Sequence, residues 1–206
     1  MSFFPILLDF DGLPCLVAGG GRLGLHKAKL LLEQGADVTV IAPEICSELV
    51  SLRVKCLRRT VAAEDVADYS LVVDATGDPA AERILSDACR ARRIPFNSAC
   101  RVDDGSAIFP AVYRQGRTVL AVSTLGASPI VSSFLRDALA AHVPEGMDAI
   151  LDAMAALRPR SREAFADQSQ RRDFLRRCLD EMLALARPLT EAETDKLNRE
   201  IKENTK

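Results

Sequence analysis

Short, mostly apolar runs recur through the first half of the chain: Cys15–Ala18, Asp37–Ala42, Val54–Arg59, Ser70–Ala75 and Ile94–Asn97. Runs of this length with little polar interruption fit parallel strands covered on both faces. Segments with helical spacing lie between them, from Arg22 to about Gln34, from Ser47 to Leu52 and from Ala80 to Arg92. Strand and helix signals in alternation predict an open, doubly wound α/β sheet. Punctuation agrees with this reading. Asp11-Gly12 marks a turn before the first run, Gly35 sits at the C′ position of the first helix, and Pro43 stops the second strand.

Past residue 105 the pattern changes. Ser106–Tyr113 and Thr118–Val122 read as two strands of a hairpin around Arg114-Gln115-Gly116-Arg117. Ser128-Pro129 then supplies an N-cap and a proline at the first helical position, opening a helix to about His142. From Met147 onward the pattern is helical, with breaks expected at Pro159 and Pro188 and a capping box at Thr190–Glu193. Three segments are expected: a nucleotide domain over 1–112, a small α+β segment over 113–146 and a helical domain over 147–206.

The first strand runs straight into Gly19-Gly20-Gly21-Arg22-Leu23-Gly24, where Gly19, Gly21 and Gly24 hold the G-x-G-x-x-G positions. In a dinucleotide site the first glycine allows a tight turn and the second lets the backbone approach a pyrophosphate. The third packs helix on strand. Free N–H groups at the helix start then hold the phosphates. A Rossmann-like domain with Gly19, Gly21 and Gly24 at the cofactor follows from this placement. The acid that often bonds the ribose is displaced: Glu44 stands at about the right distance but beyond Pro43. No basic cluster closes the second strand to receive a 2′-phosphate, which favours NAD over NADP.

Composition narrows the partners. Net charge is -2, from 27 basic and 29 acidic residues, so no basic field points to nucleic acid. No apolar run approaches the roughly 20 residues of a membrane span, and the N-terminus lacks the form of a signal peptide. Six cysteines without a C-x-x-C pair read as reduced thiols of a cytoplasmic protein. With two histidines in the chain, no His-built metal site is expected.

Further stretches carry a family likeness: Phe4-Pro5-Ile6-Leu7-Leu8-Asp9, Asp74-Ala75-Thr76-Gly77-Asp78, Asn97-Ser98-Ala99-Cys100, Ile108-Phe109-Pro110-Ala111 and Val122–Pro129. With the glycine loop, and in this order, they resemble the precorrin-2 dehydrogenase family, which includes stand-alone enzymes and the N-terminal part of sirohaem synthases. The resemblance runs from about residue 3 to residue 140. It implies NAD-dependent oxidation of precorrin-2 to sirohydrochlorin and a homodimer built on the middle segment. The chain leaves no room for the methyltransferase domain of fused members, so the stand-alone form is expected. NAD contacts then fall on Arg22, Leu23, Pro43 and Glu44, with Thr76 in the same crevice.

The substrate is a flexible polycarboxylate that must lose a hydride and a proton. Asn97 and Ser98 are expected at strand ends beside it, and Ser123, Thr124, Gly126 and Ser128 lead into a helix N-terminus suited to a carboxylate. Arg101, Arg114, Arg117 and Arg136 are further candidates, against the plainer reading of solvated surface charge. Many family members have an aspartate, implicated in oxidation and metal insertion alike, where this chain has Cys100. A thiol is a poor ligand for a hard divalent cation. The substitution therefore bears on Fe²⁺ or Co²⁺ insertion more than on oxidation. Dehydrogenase-only relatives tend to carry Asp-Gly in this loop, so Asp104 is the candidate acid/base, with a plain Asp103-Asp104-Gly105 turn as the competing reading. Two rivals stand beside the dehydrogenase: a bifunctional dehydrogenase–chelatase, and a non-catalytic NAD- or tetrapyrrole-binding module.

Overall fold

The computed structural model describes residues 3–99, 101 and 105–203. The chain divides into two units, Met1–Phe109 with Leu125–Ala127, and Pro110–Thr124 with Ser128–Lys206.

The first unit is built on five parallel strands: β1 (Pro14–Ala18), β2 (Asp37–Ile41), β3 (Lys55–Leu57), β4 (Leu71–Asp74) and β5 (Phe96–Ser98). Helices α1 (Arg22–Leu32), α2 (Ser47–Ser51) and α3 (Pro79–Arg92) connect them, with a short 3₁₀ helix at Ala63–Asp68 that the sequence pattern did not predict. Strand order is β3-β2-β1-β4-β5. The chain therefore winds outward from β1 in one direction and returns to β4 on its other side. The crevice between β1 and β4 is the topological switch point, where open α/β sheets bind ligands.

Side chains alternate across each strand and build two cores. Cys15, Val17, Val38, Val40 and Val73 pack with Ala28 and Leu31 of α1. Leu16, Ile41, Val72 and Phe96 pack with Leu85 and Cys89 of α3. Each fully buried aliphatic side chain contributes about 1.5–3 kcal/mol. Such residues hold the strand ends, and thus the crevice, in place.

The second unit opens with an antiparallel hairpin, β6 (Ala111–Gln115) and β7 (Thr118–Val122), followed by α4 (Pro129–Ala140), α5 (Met147–Ala164), α6 (Gln168–Leu185) and α7 (Glu191–Glu203). The hairpin tip is tied to α5: Arg117 N donates to Asp148 Oδ1 at 3.0 Å, and its guanidinium meets Asp152 at 2.6 Å. Ile150, Leu157, Phe165, Phe174, Cys178, Met182, Leu197 and Ile201 form the helical core.

Two expectations are corrected here. The strand predicted from Ser106 begins only at Ala111, because Ser106 N and Ala107 N both donate to the Phe96 carbonyl beside β5. Pro159 does not break the helix. It lies inside α5, which continues to Ala164. The chain turns instead where Phe165 buries against Phe174, ring centroids 5.5 Å apart, and Asp167 caps α6.

Candidate functional site

The glycine turn after β1 shows what each glycine is for. Gly19 has φ +122, and a side chain there would strike the Ala75 carbonyl at the end of β4. One at Gly20 would strike the Glu44 carbonyl, and one at Gly24 the Gly19 carbonyl. Gly21 alone among these four has nothing within 4 Å of its Cβ position. Three glycines thus close the turn by packing, and the fourth opens it.

Gly21 is also the N-cap of α1, with no side-chain cap and no acid in the first turn. The first bond into the helix runs from Leu25 N to Gly21 O at 2.9 Å. The N–H groups of Arg22, Leu23 and Gly24 have no acceptor among the described residues. Unspent donors and the positive end of the helix dipole converge on open space, the arrangement that holds phosphate. These residues fit a dinucleotide.

Pro43 and Glu44 are brought to this turn by backbone packing. Cys46 N donates to Gly20 O at 2.9 Å, which presses the β2–α2 loop onto the glycines. Both residues are exposed. Glu44 meets the turn through its carbonyl rather than its carboxylate.

On the far side of the switch point the structure adds two acids that sequence reasoning missed. Asp74 closes β4 fully buried, and its Oδ1 accepts from Thr76 N at 3.1 Å and Thr76 Oγ1 at 2.7 Å. Burial pushes its carboxyl above the usual range, and the charges of Glu82 and Asp78 push the same way. Glu82 is buried in the first turn of α3 and accepts from Ser98 Oγ, with Arg101 Nε 3.9 Å away. An acid ending an otherwise apolar run was the available signal for Asp74. Nothing in the helical pattern of 80–92 marked Glu82.

The predicted substrate residues are placed unevenly. Asn97 is buried, donates through Nδ2 to Ala107 O at 2.9 Å, and leaves Oδ1 without a partner among the described residues. The Ser98 hydroxyl is used internally, between Glu82 and Arg101 N. In the second unit, Thr124 Oγ1 accepts from Ser128 N at 3.0 Å and meets Ser132 Oγ at 2.9 Å, while Ser128 Oγ caps Val131 N at 3.3 Å. Leu125 and Gly126 take φ +53 and +86. Cys100, Asp103 and Asp104 lie outside the described residues. Arg117 and Arg136 are paired with Asp152 and Asp137.

Among the described residues no cluster of three or more His, Cys, Asp or Glu is placed to hold a metal. Burial pushes the Cys15, Cys89 and Cys178 thiols up to about 11. Thiols so protonated are poor nucleophiles. No helix among the described residues is long and apolar enough to cross a membrane.

Comparison with known proteins bears on this site. Residues 6–111 match the profile of a family described as "Putative NAD(P)-binding". The chain is 35% identical over 187 residues to a siroheme synthase of Nitrosospira multiformis, covering 87% of this chain and 40% of that protein. A siroheme synthase of Methylococcus capsulatus is 34% identical over 184 residues, with 87% and 39% covered. The chain thus spans about two fifths of the length of these curated relatives. A solved structure titled "SirC, precorrin-2 dehydrogenase" matches at TM-score 0.68 and 24% identity, over 98% of this chain and 100% of the other. The last likeness is one of fold.

Proposed function

The chain belongs to the NAD(P)-binding family that residues 6–111 match, and on that premise we propose that it oxidises precorrin-2 to sirohydrochlorin with NAD. The observation that carries the cofactor is the open Gly21 position before an uncapped α1. The substrate rests on likeness to siroheme synthases across 87% of this chain and on the activity named for the structural neighbour.

Gly19, Gly21 and Gly24 shape the turn, the amides of Arg22, Leu23 and Gly24 receive the pyrophosphate, and Pro43 and Glu44 flank the adenosine. Thr76 borders the other half of the crevice. NAD, when bound, supplies the hydride acceptor. The chain's own share is positioning, exclusion of water and transfer of one proton. Asp104 is the residue proposed to take that proton, on the grounds of its Asp-Gly context. Asn97, with an unspent buried oxygen, is the strongest of the proposed substrate contacts. Ser98, Cys100, Ser123, Thr124, Gly126 and Ser128 complete the proposed set. The hydroxyls of Ser98, Thr124 and Ser128 also bond within the protein, which fixes where each of them stands. The working unit is proposed to be a cytoplasmic homodimer.

Purified protein mixed with precorrin-2 and NAD tests this directly. NADH absorbance should rise in step with sirohydrochlorin fluorescence. Absence of NADH with authentic precorrin-2 rejects the dehydrogenase and leaves the non-catalytic module. Added Co²⁺ should leave sirohydrochlorin at its spontaneous rate of metallation. Faster insertion would replace the dehydrogenase-only reading with the bifunctional one.

A further inference from the structure

Asp74 is a charged residue at a position where packing asks for an apolar one. It is 0% exposed, directly after Leu71-Val72-Val73. Burying a carboxyl costs several kcal/mol unless hydrogen bonds offset it. Here the offset is incomplete: Oδ1 takes both Thr76 donors, and Oδ2 has no partner among the described residues. The nearby Glu82 and Asp78 charges add to the cost. A group kept on such terms is better explained by a local task than by stability.

Its bonds all lead into the β4–α3 turn. Thr76 Oγ1, donating to Asp74, also accepts from Asp78 N at 3.1 Å, and Asp78 Oδ1 accepts from Ala80 N at 2.9 Å to cap α3. This relay pins residues 75–78 around Gly77, which has φ +70 and nothing within 4 Å of its Cβ position. The Thr76 amide and hydroxyl are both consumed, so the ligand-facing backbone of the turn is at Gly77. Among the glycines of the two turns bordering the switch point, Gly21 and Gly77 are the two that face open space. A dinucleotide with its pyrophosphate at Gly21 and adenosine toward β2 must send its other half across the switch point toward β4.

We propose that Asp74 is a positioning residue for the cofactor: through Thr76 it holds Gly77 in place to receive the nicotinamide half of the dinucleotide. The inference rests on the NAD reading above.

The test compares two probes, NAD and ADP, on wild type, Asp74→Ala, Asp74→Asn and Thr76→Val, by calorimetry on protein shown folded by circular dichroism. ADP reaches only the adenosine and phosphate part of the site. Asp74→Ala should weaken NAD about tenfold or more while ADP affinity stays within about twofold. Asp74→Asn should restore NAD affinity, because its Oδ1 accepts the same two bonds. Thr76→Val breaks the relay one step later, so it should repeat the alanine result and serves in its place if Asp74→Ala fails to fold. Equal loss of NAD and ADP overturns the inference by showing a collapsed site. So does NAD affinity unchanged in the folded Asp74→Ala and Thr76→Val proteins. Wild type that binds no NAD rejects the cofactor reading itself, and the inference with it.

Discussion

At Gly21 the demands of folding and of binding point in opposite directions. It is the N-cap of α1, has φ -88, and has room for a side chain. An aspartate there is a favourable cap, typically stabilising by a few tenths of a kcal/mol over glycine. The same carboxylate would take the free amides of the first turn and repel a pyrophosphate. Gly21→Asp should therefore keep or raise the melting temperature while abolishing NAD binding, read by thermal melts and calorimetry on one preparation. A lowered melting temperature with NAD affinity intact would refute the assignment of this turn. Gly19→Ala should do the reverse damage, since a φ of +122 and the Ala75 carbonyl forbid a side chain and unfold the turn itself. The G-x-G-x-x-G spacing assigned these glycines their roles in the sequence but could not show what enforces them. Their roles depend on Ala75 and Glu44, which are distant in the chain and arrive only through sheet order. The burial of Asp74 was readable from the apolar run that it ends, but its bonds to Thr76 were not.

Element boundaries were readable where local chemistry sets them. Thr190 and Glu193 form the expected capping box of α7: Thr190 N donates to Glu193 Oε2 at 2.8 Å and Glu193 N to Thr190 Oγ1 at 3.3 Å. Arg187 adds a two-pronged pair to the same carboxylate, and together these bonds hold its pKa at about 2. A carboxylate depressed in the folded state stabilises above its unfolded pKa of about 4.3, and that help fades as pH falls toward the folded value. Glu193→Gln should thus lower the melting temperature at pH 7, with the gap to wild type narrowing steadily below about pH 4.5. A gap independent of pH would show that the ion pair and cap contribute nothing through charge. Pro159 was misread because a proline signal is local while helix continuity is not. Ile150 and Leu157 before it belong to one core and Ser161 after it is buried too, and burial on both sides carries α5 through the missing hydrogen bond. Proline in a helix interior costs about 3 kcal/mol, part of which this packing already absorbs. Pro159→Ala should raise stability by about 1–2 kcal/mol in urea titration. A loss instead would mean the helix needs its proline.

At the scale of the molecule, the alternation of strand and helix signals was enough to reveal the doubly wound sheet, because buried parallel strands leave a plain apolar trace. The second unit was less legible, since its helices satisfy only part of their apolar surface within the chain. On α4, Ile130, Phe134 and Leu139 are 82%, 68% and 51% exposed, and Val131 and Leu135 also face outward. The 130/134 and 131/135 pairs stand four residues apart, which places them in adjacent rows of one helix face. An exposed apolar patch of this kind is of the sort that suits association. A second copy of the chain is the occupant we propose, with α4 at the centre of a contact that needs about 800 Å² per partner. Wild type should sediment as a dimer at micromolar concentration. Phe134→Glu, which places a charge at the middle of the face, should sediment as a monomer with its circular dichroism unchanged. NAD affinity should survive in that monomer, because the glycine turn and the β2–α2 loop belong wholly to the first unit. A wild-type monomer at those concentrations would reject the dimer, and loss of NAD binding on dissociation would mean that the cofactor site needs the partner copy.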